Sequence, residues 1–199
     1  MLGIMAGILE ARYIPRSPEY RKGEIIVAGP DILRRLDEMA GPIAERYHNQ
    51  ELLMVGLLNG AYTVTSELGQ ALWRAGLEDV EVDFMAVSSY GNGMVSSGSL
   101  NVHKGLKSDP TGRHILLIDD VFDSGLTLAQ IHDYFNQVAA SVASFVLVSK
   151  RNPERTLAYE PDLTGFSLDN LWLVGHGMDT GEKGRTNPDI IVGMDYPAK

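Results

Sequence analysis

The chain has 199 residues, of which 44% are hydrophobic and 22% charged, which is the composition of an ordinary globular protein with a sizeable core. Its formal net charge of −9 argues against general nucleic-acid binding, so we expect no nucleic-acid partner. Cysteine is absent, which excludes disulfides and thiol catalysis and is compatible with a cytoplasmic location. The apolar segment 1–9 lacks a basic start and is too short to cross a bilayer, so we expect no membrane association.

Residues 1–21 are predicted to form an N-terminal arm, packed on the body or on a partner subunit, and residues 22–199 a single domain. Apolar residues then recur at helical spacing from Ile32 to Ala44, where Gly41-Pro42 is expected to break or kink the helix. The segment from Ser89 to Asp109 is rich in Gly, Ser and Asn, which favours either a mobile functional loop or an exposed hairpin.

Short apolar runs alternate with helical patterns along the rest of the chain. This alternation predicts an α/β fold, a mainly parallel central sheet flanked by helices, with ligand sites at the carboxyl ends of its strands. The predicted strands are Leu52–Leu58, Val80–Ser88, His114–Ile118, Ala143–Ser149 and Leu171–Val174, and the predicted helices follow Asn59-Gly60 and span Leu126–Val138.

The most informative segment, residues 114–128, reads HILLIDDVFDSGLTL. A buried strand is predicted to stop at Asp119 and Asp120 and to turn through Ser124-Gly125 into a helix. The first N–H groups of that helix suit a phosphate, and the acidic pair suits hydroxyls or a divalent cation. One short segment can therefore hold both ends of a sugar phosphate. In the alternative interpretation the acidic pair is merely solvated and Asp123 caps the helix.

This pattern resembles the phosphoribosyl pyrophosphate signature of type I phosphoribosyltransferases, in which two acidic and two apolar residues precede Asp, a hydroxyl residue and Gly. Asp123 is similar to the Asp found at this place in the hypoxanthine-guanine branch, whereas adenine and orotate members usually carry a small or hydroxyl residue. The resemblance runs from roughly Ile25 to Met194. It implies the type I phosphoribosyltransferase fold, with a small hood and a flexible loop.

Two further segments resemble loops of the same family. Asn59-Gly60 follows a strand, as the pyrophosphate loop does, but Asn59 stands where Lys or Arg is common, so pyrophosphate would depend more on Mg²⁺, backbone groups and Arg185. The alternative is an ordinary Asn-Gly turn. Ser89-Tyr90 is similar to the Ser-Tyr of the flexible catalytic loop, whose closure would keep water from a cationic ribosyl group.

The base pocket is implied by three later positions. Lys150 matches the lysine that meets the 6-oxo group of a purine, and a lysine can donate to a carbonyl oxygen but cannot accept from an amino group. Trp172 matches the aromatic residue that stacks on the base, although for Trp172 alone a core position is the better prediction. The resemblance implies that Leu173 reads the base edge through its backbone, and that Asp179 contacts a guanine amino group or Mg²⁺-bound water.

The resemblance implies purine salvage, in which the phosphoribosyl group of phosphoribosyl pyrophosphate passes to hypoxanthine, guanine or both. Asp119 and Asp120 would hold the ribose hydroxyls, directly or through Mg²⁺. Asp123 would accept or share the proton at purine N7. The implied 5′-phosphate ligands are Asp123, Ser124, Gly125, Leu126 and Thr127, the implied Mg²⁺ ligands are Asp119, Asp120 and Asp179, and the expected assembly is a homodimer or homotetramer.

Two other classes of protein remain as alternatives. A nucleotide-sensing regulator with the same fold would explain the missing charge at Asn59, but it should carry a basic nucleic-acid face, which the net acidity disfavours. A phosphorelay receiver also places an acidic Mg²⁺ pocket at a strand end. There the acidic pair would be expected near the start of the chain, and the Ser-Gly-Leu-Thr turn would go unexplained.

Overall fold

The computed structural model describes residues 10–15, 20–88 and 101–193. Within these ranges no helix has both the length and the apolar character needed to cross a membrane. The strands are β1 (Arg12–Ile14), β2 (Ile25–Val27), β3 (Leu52–Leu58), β4 (Val80–Ser88), β5 (Asn101–Lys104), β6 (His114–Phe122), β7 (Ser141–Arg151), β8 (Leu163–Asp169), β9 (Leu173–Val174) and β10 (Ile190–Val192), and the helices are α1 (Gly29–Arg46), α2 (Tyr62–Arg74) and α3 (Leu126–Phe135).

A seven-stranded sheet forms the centre of the described residues, in the order β1-β8-β7-β6-β3-β4-β5. All neighbours in it are parallel except β4 and β5. A second sheet of three short antiparallel strands, β2-β10-β9, provides the predicted small hood. The predicted fold class, a mainly parallel sheet flanked by helices, is confirmed.

Both faces of the central sheet are covered, which explains why its inner strands are continuously apolar. Leu52 and Met54 of β3 pack into the core that contains α1 and α2. Leu53 and Val55 alternate to the opposite face, where they join the core formed with α3. Because each face of the strand meets a helix layer, no position of β3 before its carboxyl end suits a polar side chain.

The strand order places a crevice between the carboxyl ends of β3 and β6. These strands are neighbours, in parallel register from Leu52 opposite His114 to Gly56 opposite Ile118. The chain leaves β3 through α2 toward β4 and leaves β6 through α3 toward β7, so the two connections diverge. A divergence of this kind is where open α/β sheets bind ligands. The crevice brings the loop at Asn59-Gly60 beside the acidic pair.

Several predicted element boundaries are wrong. Strand β7 spans Ser141–Arg151 and not Ala143–Ser149, β9 begins at Leu173 and not at Leu171, and α3 ends at Phe135 and not at Val138. Helix α1 continues unbroken through Pro42, because its neighbours Met39 and Ile43 are completely buried and their packing outweighs one lost backbone hydrogen bond. Strand β6 continues past Ile118 to Phe122, since Val121 and Phe122 still pair with β7. The acidic pair therefore lies within the last part of a strand and not after it.

Part of the predicted arm joins the sheet. Strand β1 pairs with β8 in parallel at one edge. Arg12 forms an ion pair with Glu38 of α1 at 2.6 Å, and the buried Arg35 donates to the carbonyl oxygen of Glu10 at 2.6 Å. The arm was expected to pack either on the body or on a partner subunit, and residues 10–15 pack on the body.

The hairpin interpretation of the Gly-rich segment is confirmed for its second half, where β5 pairs antiparallel with β4. Asp83 fastens the chain just after β5, because its carboxylate accepts hydrogen bonds from the N–H groups of Lys107 at 2.6 Å and Ser108 at 3.0 Å. Ser89 and Tyr90, the predicted loop residues, lie outside the described residues.

Burial alone would raise the pKa of Asp83, but backbone hydrogen bonds from Ser108, Phe84 and Lys107 and the charge of Lys104 outweigh it and lower the pKa to about 2. A carboxyl whose pKa is lower in the folded than in the unfolded protein stabilises the fold above its unfolded pKa. This contribution is lost as the pH falls from about 4 toward 2.

We expect Asp83→Asn to lower the free energy of unfolding at pH 7 by roughly 2 kcal/mol, because a neutral amide accepts these hydrogen bonds more weakly. Urea unfolding measured from pH 7 to pH 2 should show the difference from the unmodified protein shrinking below pH 4. Asp79→Asn, at an exposed position, is the matched control. A loss in Asp83→Asn that is independent of pH would contradict this explanation.

Candidate functional site

The acidic pair forms the floor of the crevice. Asp119 and Asp120 are both half-buried, and the N–H of Asp120 donates to Asp119 Oδ1 at 3.0 Å. Burial, together with the neighbouring charge of Asp120, raises the pKa of Asp119 well above its usual range. Burial also raises the pKa of Asp120, although the positive charge of Arg185 opposes the shift. Because the ionised form of each carboxylate is disfavoured in this way, the pair favours a cation or hydroxyl donors as ligands.

The loop after β3 packs directly on this pair. A Cβ atom on Gly60 would lie 2.0 Å from Asp120 Oδ2, so only glycine allows the approach. The peptide bond between Leu58 and Asn59 is cis. On the far side, a Cβ atom on Gly177 would lie 1.9 Å from the carbonyl oxygen of Gly60. Three separate chain segments are therefore stacked at one place, and Asn59-Gly60 is more than an ordinary exposed turn.

Arg185 closes the same end of the crevice. Its guanidinium lies 2.8 Å from Asp179 Oδ1 and 3.0 Å from Glu182 Oε2, and it donates to the carbonyl oxygen of Gly177 at 2.9 Å. Its charge also acts on Asp120. The structure thus brings Arg185, Gly60, Asp120 and Asp179 together at one end of the crevice.

The turn between β6 and α3 presents backbone N–H groups to the crevice. Gly125 adopts the left-handed conformation with φ of 77°, and a Cβ atom there would lie 2.4 Å from the ring of Phe122. Ala129 donates to the carbonyl oxygen of Gly125 at 3.0 Å. This is the first hydrogen bond of the helix, so the N–H groups of residues 126–128 have no partner within it. Such groups at a helix start can bind an anion. Ser124 is exposed beside them.

Asp123 lies at the other end of the crevice and is not a helix cap. Its Oδ2 accepts from Lys150 Nζ at 2.9 Å and its Oδ1 from Asn152 Nδ2 at 2.7 Å. Partial burial alone would raise the pKa of Asp123, but hydrogen bonds from Lys150 and Asn152 outweigh it and hold the pKa below its usual value. The carboxylate is therefore ionised at neutral pH.

Trp172 stands over the same place. Its side chain is 63% exposed, so the core position expected for it in isolation is wrong. The indole N–H donates to Thr180 Oγ1 at 2.6 Å, and Lys150 Nζ lies 5.9 Å from the ring centroid. The cavity beside it has a volume of about 260 Å³. Its lining residues are Asp120, Val121, Asp123, Lys150, Trp172, Leu173, Met178 and Asp179.

Two polar contacts at the site were not predicted. Asn152 holds Asp123, and Arg155 donates to the backbone carbonyl oxygen of Asp123 at 2.9 Å. Both residues belong to the connection after β7, where no local pattern indicates a partner in the turn after β6. His176, to which the sequence assigned no chemistry, is buried, with Nε2 2.9 Å from Glu67 Oε2. It joins the late loop to α2.

The fold and this crevice belong to a known class of protein. The chain matches the family described as phosphoribosyl transferase domain over residues 22–180. It is therefore a member of the phosphoribosyl transferase domain family.

Relatives within the family are similar along nearly their whole length. A hypoxanthine-guanine phosphoribosyltransferase of Aquifex aeolicus (strain VF5) is 37% identical over 176 residues, which cover 88% of this chain and 97% of that protein. The enzyme of the same name from Bacillus subtilis (strain 168) is 31% identical over 85% of this chain and 92% of its own length. A solved structure of Trypanosoma cruzi hypoxanthine phosphoribosyl transferase superposes with a TM-score of 0.79, at 30% identity over 90% of this chain and 95% of that one.

We expect Gly60→Ala to lower the free energy of unfolding by about 2 kcal/mol or more, because the added methyl group must displace Asp120 or the loop itself. Urea unfolding at pH 7 measures the loss. The matched control is Gly69→Ala within α2, where a Cβ atom would meet only Met54 at 4.0 Å and the exchange should be neutral or stabilising. Equal stability of the two variants would contradict the tight packing on Asp120.

Proposed function

We propose that this protein transfers the phosphoribosyl group of phosphoribosyl pyrophosphate to a 6-oxopurine, hypoxanthine or guanine, to give the nucleoside monophosphate and pyrophosphate. The observation that carries the proposal is that one crevice combines three features. It has a helix start that suits a phosphate, two adjacent carboxylates whose pKa values are raised, and a lysine beside an exposed tryptophan. The relatives that the chain matches over most of their length carry the names of such enzymes.

Phosphoribosyl pyrophosphate would lie along the floor of the crevice. Its 5′-phosphate would accept from the N–H groups of residues 124–127 and from the hydroxyls of Ser124 and Thr127. Asp119 and Asp120 would bind the ribose hydroxyls, and their negative charge would favour the positive charge that builds on the ring as pyrophosphate leaves. The pyrophosphate would lie between the loop at Asn59-Gly60 and Arg185.

The acidic pair also fits Mg²⁺. Within the described ranges, no group of three or more His, Cys, Asp or Glu side chains could hold a metal ion by itself. Mg²⁺ is commonly bound by one or two carboxylates together with substrate phosphates, and the raised pKa of Asp119 favours such a cation. Asp119 and Asp120 would hold it, Asp179 would contact it through a bound water, and when bound it offsets the charge of the leaving pyrophosphate. Because Asn59 contributes no charge, Arg185 would be the protein's cationic contact for that group.

The purine would lie on Trp172 in the cavity above Leu173. Lys150 Nζ, buried and already within the cavity, would donate to the 6-oxo group, which an adenine amino group could not replace. Leu173 would offer its backbone to the base edge. Asp123 would accept or share the proton at N7 while N9 attacks the ribose, which requires an ionised carboxylate within hydrogen-bond reach.

The proposed assembly is a homodimer or homotetramer. One apolar groove supports it, between α2 and β4, where Trp73 is 58% exposed and Val82 45% exposed. Large apolar side chains left open side by side are typical of subunit contacts.

The other two classes of protein are not favoured. The matched relatives are named as transferases. The contacts that build the crevice need no charge at Asn59, so the missing charge does not favour a regulator. The receiver interpretation conflicts with the family match. It also conflicts with the position of the acidic pair, which lies on the third strand of the parallel succession β3, β4, β6 and not on its first.

We expect product formation from phosphoribosyl pyrophosphate and Mg²⁺ with hypoxanthine, guanine or both, and none with adenine. Each base, with xanthine included, is supplied separately and the nucleotide product is separated by chromatography. Heat-inactivated protein is the control for spontaneous reaction. Turnover of adenine in preference to the oxopurines, or of no base at all, would overturn the proposal.

We expect Lys150→Ala to raise the KM for the oxopurine about tenfold or more while the KM for phosphoribosyl pyrophosphate changes less than about twofold, because of the two substrates Lys150 is proposed to contact only the base. Steady-state kinetics with each substrate varied in turn measures both. The matched control is Arg151→Ala, at the next, exposed position. Equal losses for the two substrates would refute a role for Lys150 in reading the base.

A further inference from the structure

Asp123 already has a hydrogen-bond donor at each of its two carboxylate oxygens. Lys150 occupies Oδ2 and Asn152 occupies Oδ1, at 2.9 and 2.7 Å. To receive the N7 proton, one of these oxygens must face the base. Lys150 is also the residue proposed to donate to the 6-oxo group, and its ammonium carries three N–H donors. When the base binds, the ammonium can turn toward the purine and leave Oδ2 open to N7, while Oδ1 stays with Asn152.

The orientation of the Asn152 amide is fixed by a second contact. Its own Oδ1 accepts from the N–H of Glu154 at 2.9 Å, so the amide nitrogen, which can only donate, faces Asp123. The residue is half-buried, and its N–H donates to the carbonyl oxygen of Lys150 at 2.9 Å. Asn152 is therefore held at both ends and offers one donor in a set direction.

We propose that Asn152 is a positioning residue for the reaction: its amide holds Asp123 Oδ1, so that Oδ2 faces N7 of the purine once Lys150 has moved to the 6-oxo group. This inference rests on the proposed function. A neutral donor suits the task, since a second cation at Oδ1 would make the carboxylate a poorer acceptor for a proton. Arg155 fixes the backbone beneath, because its guanidinium binds the carbonyl oxygens of both Asp123 and Lys150.

The charged groups around Asp123 come from every element packed against it. Lys150 belongs to β7 and Arg155 to the connection after it, and both contact Asp123 directly. Asp120 of β6 and Asp179 of the late loop line the same cavity. Among these groups Asn152 is the neutral one, so replacing it changes the hydrogen bond to Asp123 without removing a charge.

The decisive variant is Asn152→Asp. An aspartate keeps the acceptor for Glu154 and hence the turn, but it replaces the donor toward Asp123 with a carboxylate. Asn152→Ala removes both contacts. The control is Asn136→Asp, which adds the same charge at the exposed end of α3, outside the cavity.

We expect kcat of Asn152→Asp to fall about tenfold to hundredfold. The kcat of Asn152→Ala should lie between those of Asn152→Asp and the unmodified protein. In both variants the KM for phosphoribosyl pyrophosphate should change less than about twofold. Loss of the donor raises the pKa of Asp123, so the acid limb of the kcat profile should move to higher pH. Carboxyl-carbon NMR of the free protein should show the same shift at Asp123. Unchanged Asn136→Asp would show that added charge alone is not the cause.

The inference would be overturned, and the proposed function left standing, if Asn152→Asp kept the kcat, the acid limb of the kcat profile and the Asp123 titration of the unmodified protein. If Asn152→Asp does not fold, Asn152→Ala carries the same test, and an unshifted acid limb there overturns the inference. Absence of turnover in the unmodified protein would overturn the proposed function and this inference together.

Discussion

Two adjacent carboxylates, half-buried at the carboxyl end of a central strand, are the constraint around which the crevice is built. Burial raises the pKa of both Asp119 and Asp120, and the charge of Asp120 raises that of Asp119 further. The neighbouring chain must approach them without a side chain, which explains Gly60. A cation must lie within reach, which explains Arg185. A pair left in this condition by folding is suited to a ligand that carries hydroxyls and a divalent cation.

A second pair of charged residues, Asp123 and Lys150, lies at the base end of the site. Asp123 and Lys150 lie in the same cavity as Asp120, but here each charge has a partner of opposite sign at 2.9 Å. Lys150 can leave that partner for a carbonyl oxygen of the base, because Asn152 and Arg155 continue to hold Asp123 and its backbone. The crevice thus combines an end with two adjacent half-buried carboxylates and an end that carries an ion pair. Both properties suit a reaction in which a cationic ribose lies between a departing anion and an attacking base.

The sequence predicted those parts of the fold that local physics determines. The bounds of β3, the bounds of β4 and the first residue of α3 are as expected, because an apolar run or a Gly before a helix is visible in the chain itself. The end of β6 was wrong, since pairing with β7 carries the strand past its two acidic residues. The break at Pro42 was wrong because burial of the helix around it is tertiary information. Asn152 could not be found, since its partner lies 29 residues away in the turn after β6. The exposure of Trp172 was likewise hidden, because its sequence neighbours are apolar.

The central claim is that the acidic pair receives phosphoribosyl pyrophosphate together with Mg²⁺. Titration calorimetry of phosphoribosyl pyrophosphate binding at neutral pH, with and without Mg²⁺, measures this. We expect binding at least about tenfold tighter with Mg²⁺, because the cation offsets the charge of the two carboxylates beside the anionic ligand. Equal affinity with and without Mg²⁺ would refute a Mg²⁺-assisted site at the acidic pair.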